Sequence, residues 1–183
     1  LPELRTARLL VRRMVPADAP SLAAYRSDPE VARYQGWDAP YPRASAEAFV
    51  REMAVARAVP GSWVQLAVVL RATGEHVGDL GVQLTDEGRQ ARVGITLAAA
   101  AQHHGYASEA LGALLDHLLG AAGLHRVVAE CDARNRSSAA LLERVGMRLE
   151  AHHRSASWWK DEWTDELVFA VLAAERAPGA GRT

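Results

Sequence analysis

Cysteine and lysine are almost missing: Cys131 and Lys160 are the only ones in 183 residues. A single thiol rules out a disulfide within the chain and suits a reducing compartment, so a cytoplasmic location is expected. Cys131 itself falls in a strand-like run and reads as a small buried residue. Long apolar runs are missing too; nothing approaches the roughly 18 consecutive apolar residues that a membrane helix requires. The opening LPELRTARLLVRRM has no apolar core of the kind a secretion signal carries, so no membrane partner is expected. Nor is there a surplus of charge of one sign. With a formal net charge of -1 and scattered arginines, the chain lacks the positive field on which nucleic-acid binding depends.

What is present is the composition of a globular domain, 49% hydrophobic and 23% charged, at a length that buries a core without staples. One domain over 1–183 is expected, with no repeat or linker and a frayed tail from about 176. RLLVRRM alternates and predicts a first strand. ADAPSLAAYRSDPEVARY carries apolar residues at helical spacing, with Asp28 and Pro29 as cap and first residue of a second short helix. GWDAPYPR packs Gly, Pro and aromatics into a loop. Ser45 is expected to cap a helix reaching about Val59, with Glu47 in its first turn.

From Trp63 the period changes to two. Two strand-like runs joined near Thr73 and Gly74, followed by RQARVGITL, predict an antiparallel meander. A helix follows QHHGYA, HRVVAECD reads as a strand, and RSSAALLERVGM reads as a helix closing at Gly146. Two last strands span about 149–157 and 164–172. This order predicts an α+β fold: a mixed, mostly antiparallel sheet of about seven strands with flanking helices. A right-handed crossover over 92–132 makes the fourth and fifth strands parallel neighbours.

Backbone amides in the first turn of a helix are unpaired, so QHHGYA at a strand-to-helix junction is a candidate anion site. By itself a glycine there is weak evidence, since most such glycines mark an ordinary helix entry. Histidines occur as adjacent pairs, His103 with His104 and His152 with His153. Neighbours in a strand point to opposite faces and cysteine support is lacking, so no metal site is expected.

Taken together, ARVGITL, the pattern Gln102, Gly105, Ala107, and DARNRSSAALLERVGM one strand later resemble the GNAT acetyltransferase superfamily. The more detailed likeness is to its RimJ/RimL-like branch, named after enzymes that acetylate the amino termini of ribosomal proteins. It covers nearly the whole chain: TARLLVRRM, YRSDPEVARY, TGEHVGDLG, GLHRVVAECDARNRSSAALLERVGM and WWKDEWTDELVF, in that order. The resemblance implies acetyl-CoA as co-substrate, no metal, and a GNAT-type sheet whose fourth and fifth strands splay apart. It implies that the loop of Gln102, His103, His104, Gly105, Tyr106 and Ala107 binds the pyrophosphate of coenzyme A. Main-chain amides around Ile95, Thr96 and Leu97 would then hold pantetheine and polarise the acetyl carbonyl. Asn135 matches the asparagine that bonds the pantetheine arm, although Asn there is also a preferred helix cap. Ser138 matches the serine beside the coenzyme A sulfur, where it would donate to or relay a proton to the leaving thiolate.

The same resemblance puts an aromatic acceptor cleft between the early loop and the last hairpin, with Tyr34, Trp37, Tyr41, Trp158 and Trp159 as its residues. Packing within the hairpin, or a homodimer contact, is the other reading of the tryptophans. Branch members carry an acid where this chain has Arg92 and a carboxylate where it has Ser157, so a family base does not transfer. Glu130, Asp79 and His153 stay open for that role, as does a water relay. Little basic help is needed if the acceptor is an α-amine, with a pKa near 8 and about one-tenth free at neutral pH. A lysine, near 10.4, is free only about once in 2,500. Lys160 has no assigned role, and Asp161 stands where the branch has a turn glycine. The expectation is an N-acetyltransferase that moves an acetyl group from acetyl-CoA to a primary amine, a protein amino terminus or a small molecule, by direct attack in a ternary complex. The alternative is a non-catalytic acyl-CoA-binding or sensor module.

Overall fold

Alternating runs need one sheet to bury their apolar faces, and the computed structural model, which describes residues 1–176, shows that sheet. Among the described residues its strands are β1 (Leu4–Arg5), β2 (Leu9–Arg13), β3 (Trp63–Leu70), β4 (His76–Thr85), β5 (Gln90–Leu97), β6 (Arg126–Asp132), β7 (Arg148–Trp159) and β8 (Glu162–Leu172). The spatial order is β1-β2-β3-β4-β5-β6-β8-β7. Every neighbouring pair is antiparallel except β5 and β6, the pair joined by the expected crossover. The eighth strand, beyond the seven expected, is the two-residue β1, which a turn closed by Thr6 N–H to Leu9 O folds onto Val11 and Leu10.

Helices α1 (Ala19–Arg26), α2 (Pro29–Ala32), α3 (Arg43–Val55), α4 (Tyr106–Asp116) and α5 (Arg136–Arg144) cover the sheet. Leu111, Leu114, Leu115 and Leu118 recur at helical spacing and press one face of the sheet together with Leu141 and Leu142. Leu22, Tyr25, Val50 and Met53 cover the other. The Asp28 carboxylate caps α2 by accepting from Glu30 N–H at 2.9 Å, as the Asp-Pro pair predicts. Ser45 does not cap α3. The helix starts three residues earlier, after Pro42, whose fixed φ of -62° suits the cap position, and the Arg43–Glu47 pair at 3.0 Å braces its first turn. It stops at Val55, short of Val59, because Ala56 is extended.

Two features of the sheet shape its centre. β5 pairs with β6 over only three residues, Gln90 to Arg126, Ala91 to Val127 and Arg92 to Val128, leaving the rest of both facing edges open. Gly78 on β4 lies so close to β5 that a Cβ there would meet Thr96 O at 2.2 Å, which only glycine allows. Of the tail expected to fray, Arg176 is anchored by bonds to Asp116, to Val145 O and to Gly112 O; 177–183 lie outside the described residues.

Candidate active site

The loop 102–107 leaves β5 and opens α4. His103 and Gly105 take positive φ, 63° and 79°, and Gly105 is the residue before the first helical turn. No side chain caps that turn, so its leading amides stay available to an anion. Gln102 turns back, donating from Nε2 to Leu97 O at 3.1 Å. The loop is braced by residues that local reading of the chain does not reveal. Arg8 donates from Nη1 to His104 O at 2.9 Å, pairs with Glu109 at 2.7 Å and stacks on the Tyr106 ring at 4.6 Å. Burial works against the charge of Glu109, yet bonds from Thr6 and Arg8 hold its carboxyl below the usual range. Arg8 thus brings a half-exposed cation to the anion site from almost a hundred residues away, a distance that leaves no local signal.

The open edge of β5 supplies donors. Ala98 N–H donates to Val77 O toward β4, while Leu97 O accepts from Gln102 on the other side. Alternation along the strand therefore turns the amides of Ile95 and Leu97 toward the gap beside β6 and that of Thr96 toward β4. Across the gap, Asn135 caps α5, its Oδ1 accepting from Ser138 N–H at 3.1 Å. The cap reading of Asn135 thus holds, and its side-chain NH₂ is left for another acceptor. Ser138 lies near Cys131, whose thiol burial pushes up. Cys131 is half-buried and faces a cavity, not the core interior that its residue type suggests.

That cavity, about 180 Å³, lies where β6 runs on past its pairing with β5. It is lined by Tyr34, Glu130, Cys131, Asp132, Ser157, Trp159, Thr164, Asp165 and Glu166. Of the aromatic residues expected in an acceptor cleft, Tyr34 and Trp159 line it. Trp37 and Tyr41 turn inward instead, against the buried guanidinium of Arg26, at 4.2 and 5.2 Å from its centre. Trp158 points to the opposite side of the hairpin, where it packs edge to face against Trp163 with ring centres 5.4 Å apart. Glu130 is in the cavity wall but ion-paired with Arg92 at 2.8 Å, so the departure at Arg92 and the candidate acid neutralise each other. Asp79 is buried on β4 and accepts from the Tyr25 hydroxyl, with Arg26 at 3.5 Å. His153 and His152 sit exposed on β7, His152 held by Asp165 at 2.8 Å. Among the described residues no three His, Cys, Asp or Glu side chains gather to hold a metal ion, and no helix is long and apolar enough to cross a membrane.

The early loop and the last hairpin are tied together by Lys160. Its ammonium donates to Ala32 O at 2.8 Å and Trp37 O at 3.0 Å, so the one lysine closes the roof above Tyr34 and Trp159.

A parallel pair that parts after three residues, a glycine-opened helix start at its end, and a cavity beside the gap define an acyl-coenzyme A transferase fold. Residues 8–148 match the acetyltransferase (GNAT) domain family, and the chain belongs to that family. It is an acetyl-CoA-dependent acyltransferase. The uncharacterized N-acetyltransferase p20 of Bacillus licheniformis is 29% identical over 175 residues, covering 95% of this chain and 98% of the relative. A GNAT-family acetyltransferase of Bacillus anthracis superposes with a TM-score of 0.88 at 26% identity, covering 95% of this chain and 100% of that one. The ribosomal L7/L12 α-N-protein acetyltransferase RimL, solved with coenzyme A, has a TM-score of 0.78 at 19% identity, covering 93% and 98%, and so shares the fold.

Proposed function

We propose that this acyltransferase acetylates primary amines by direct attack in a ternary complex, with the α-amine of a peptide as the first acceptor to test. The observation that carries this is the cavity beside the β5/β6 gap: aromatic at Tyr34 and Trp159, carboxylate-rich on β6 and β8, and touching Cys131 next to Ser138. An amine approaches as an ammonium, which such a surface attracts, and an α-amine sheds its proton near neutral pH.

In this reading the leading amides of α4, with Arg8 beside them, hold the pyrophosphate of the co-substrate. Its pantetheine runs along the open edge of β5 and takes a bond from Asn135. One of the outward amides, Ile95 or Leu97, meets the charge that develops on the carbonyl oxygen, a donor worth about 3 kcal/mol. Ser138 hands a proton to the departing sulfur. The RimJ/RimL-like motifs and the shared fold with RimL, whose name specifies an α-amino substrate, support the peptide acceptor.

The test is thiol release from acetyl-CoA with peptides bearing free or blocked amino termini, alongside small amines. Free-terminus peptides are expected to react and blocked ones not. Silence across the panel, despite tight coenzyme A binding, would remove the acceptor assignment.

A further inference from the structure

Four carboxylates line the cavity, and three have basic partners, two arginines and a histidine. Glu130 pairs with Arg92 at 2.8 Å, Asp132 with Arg134 at 2.7 Å, and Asp165 with His152 at 2.8 Å. Glu166 differs: among the described residues its one bonding partner is the hydroxyl of Ser157, which donates to Oε2 at 3.3 Å. It is half-buried on β8, opposite Asp132 on β6 and His153 on β7.

The hairpin is built to bring these two side chains together. Residues 154–156 of β7 stand opposite Asp165 alone, between the pairs His153 with Glu166 and Ser157 with Thr164. Ser155 takes a positive φ of 46° in this bulge, and its N–H is caught by Asp165 Oδ1 at 2.8 Å. Bulges re-aim side chains next to active sites. Here the bulge leaves Ser157 and Glu166 on one face and spends Asp165 as its clamp. The Ser157 hydroxyl is a poor base, and the carboxylate from the neighbouring strand lies within its reach.

We propose that Glu166 is the catalytic residue that takes the proton from the acceptor nitrogen, with Ser157 as its positioning residue; this rests on the acceptor reading above. The amine lone pair forms the C–N bond and the carbonyl oxygen takes up the negative charge. Glu166 removes one proton from the nitrogen. The oxygen's electron pair re-forms the carbonyl, the C–S bond breaks, and the thiolate collects a proton through the Ser138 hydroxyl. Glu166 and Cys131, the strand neighbour of its register partner Asp132, line the same cavity.

The experiment measures kcat for a tetrapeptide with a free α-amine and for spermidine. Glu166→Gln is expected to lower kcat about 100-fold, with coenzyme A affinity and thermal midpoint unchanged. Adding Ser157→Glu to that variant returns a carboxylate to the same spot and is expected to recover about tenfold, which repair of packing would not. Glu166→Gln with more than half of wild-type kcat, or a stable Glu166→Gln that Ser157→Glu does not rescue, overturns the assignment. A wild type active on spermidine but silent on the peptide removes the peptide acceptor and leaves Glu166 tested on spermidine. A wild type silent on both overturns the acceptor reading and this assignment with it.

Discussion

Replacing Lys160 by alanine removes a latch and leaves a strained turn behind. The ammonium gives two charge-assisted bonds to backbone carbonyls, at 2.8 and 3.0 Å, with its side chain one-third exposed (33%). Such bonds are worth about 1.5–3 kcal/mol each when buried, and partial exposure puts these at the low end. The third contact, to Asp38 at 3.5 Å, adds little because that carboxylate is 91% exposed. Lys160→Ala should therefore cost about 2–3 kcal/mol, lowering Tm by roughly 5–10 °C for a chain of this size. A second variant isolates the turn. Lys160 and Asp161 have φ of 46° and 66°, the left-handed pair that a two-residue hairpin demands and that glycine adopts freely. Lys160→Gly loses the same bonds but relieves the backbone, so it should be about 1 kcal/mol more stable than Lys160→Ala. Because the latch holds the roof over Tyr34 and Trp159, both variants should raise KM for the acceptor and leave coenzyme A affinity alone. Thermal melts and steady-state kinetics decide it. An alanine variant that melts with the wild type, at unchanged acceptor KM, refutes the latch.

Three more outcomes follow from the geometry. Ser138→Ala should reduce kcat by more than it weakens coenzyme A binding, measured by turnover and calorimetry; equal losses would make Ser138 a binding residue only. Gly105→Ala forces a side chain into φ 79° with its Cβ 3.3 Å from Arg8 Nη2. That should cost roughly 1–2 kcal/mol and weaken coenzyme A binding, so an unchanged affinity would remove the loop from the phosphate site. His76 is buried against Ser21 Oγ at 2.7 Å, and burial holds its pKa below the ordinary 6.5. The unfolded chain then binds the extra proton first, so stability falls as pH drops below about 6.5. The urea midpoint should decline with acidification more steeply in wild type than in His76→Gln. His117, shifted the same way, is common to both and cancels; parallel slopes would refute the assignment.

Much of this was legible along the chain because it depends on near neighbours. Asp28 before Pro29 makes α2 begin where it does, and Asn135 caps α5 through an amide three residues away. Ser45 misled because a cap is chosen in competition: Pro42 offers an equally suitable dihedral, and the Arg43–Glu47 pair rewards the earlier start. Cys131 misled because residue type reports average burial, whereas the opening of β5 from β6 exposes this strand position to the cavity.

By itself the sequence determined the order of strands and helices, the glycine-opened start of α4 and the family motifs, all set by periodicity and turn chemistry within a few residues. Only the tertiary structure decided which side chains share the site. Arg8 reaches the loop across the sheet, Lys160 closes the roof, Trp37 and Tyr41 turn to Arg26, and Glu166 arrives beside Ser157. Arg8, Lys160, Trp37 and Tyr41 sit in turns and loops that only the packed fold brings to their partners, whereas Glu166 depends on strand register, and a one-residue shift would send its side chain to the other face of the sheet. In the last hairpin that register is set by the bulge over 154–156, which Asp165 clamps from the opposite strand.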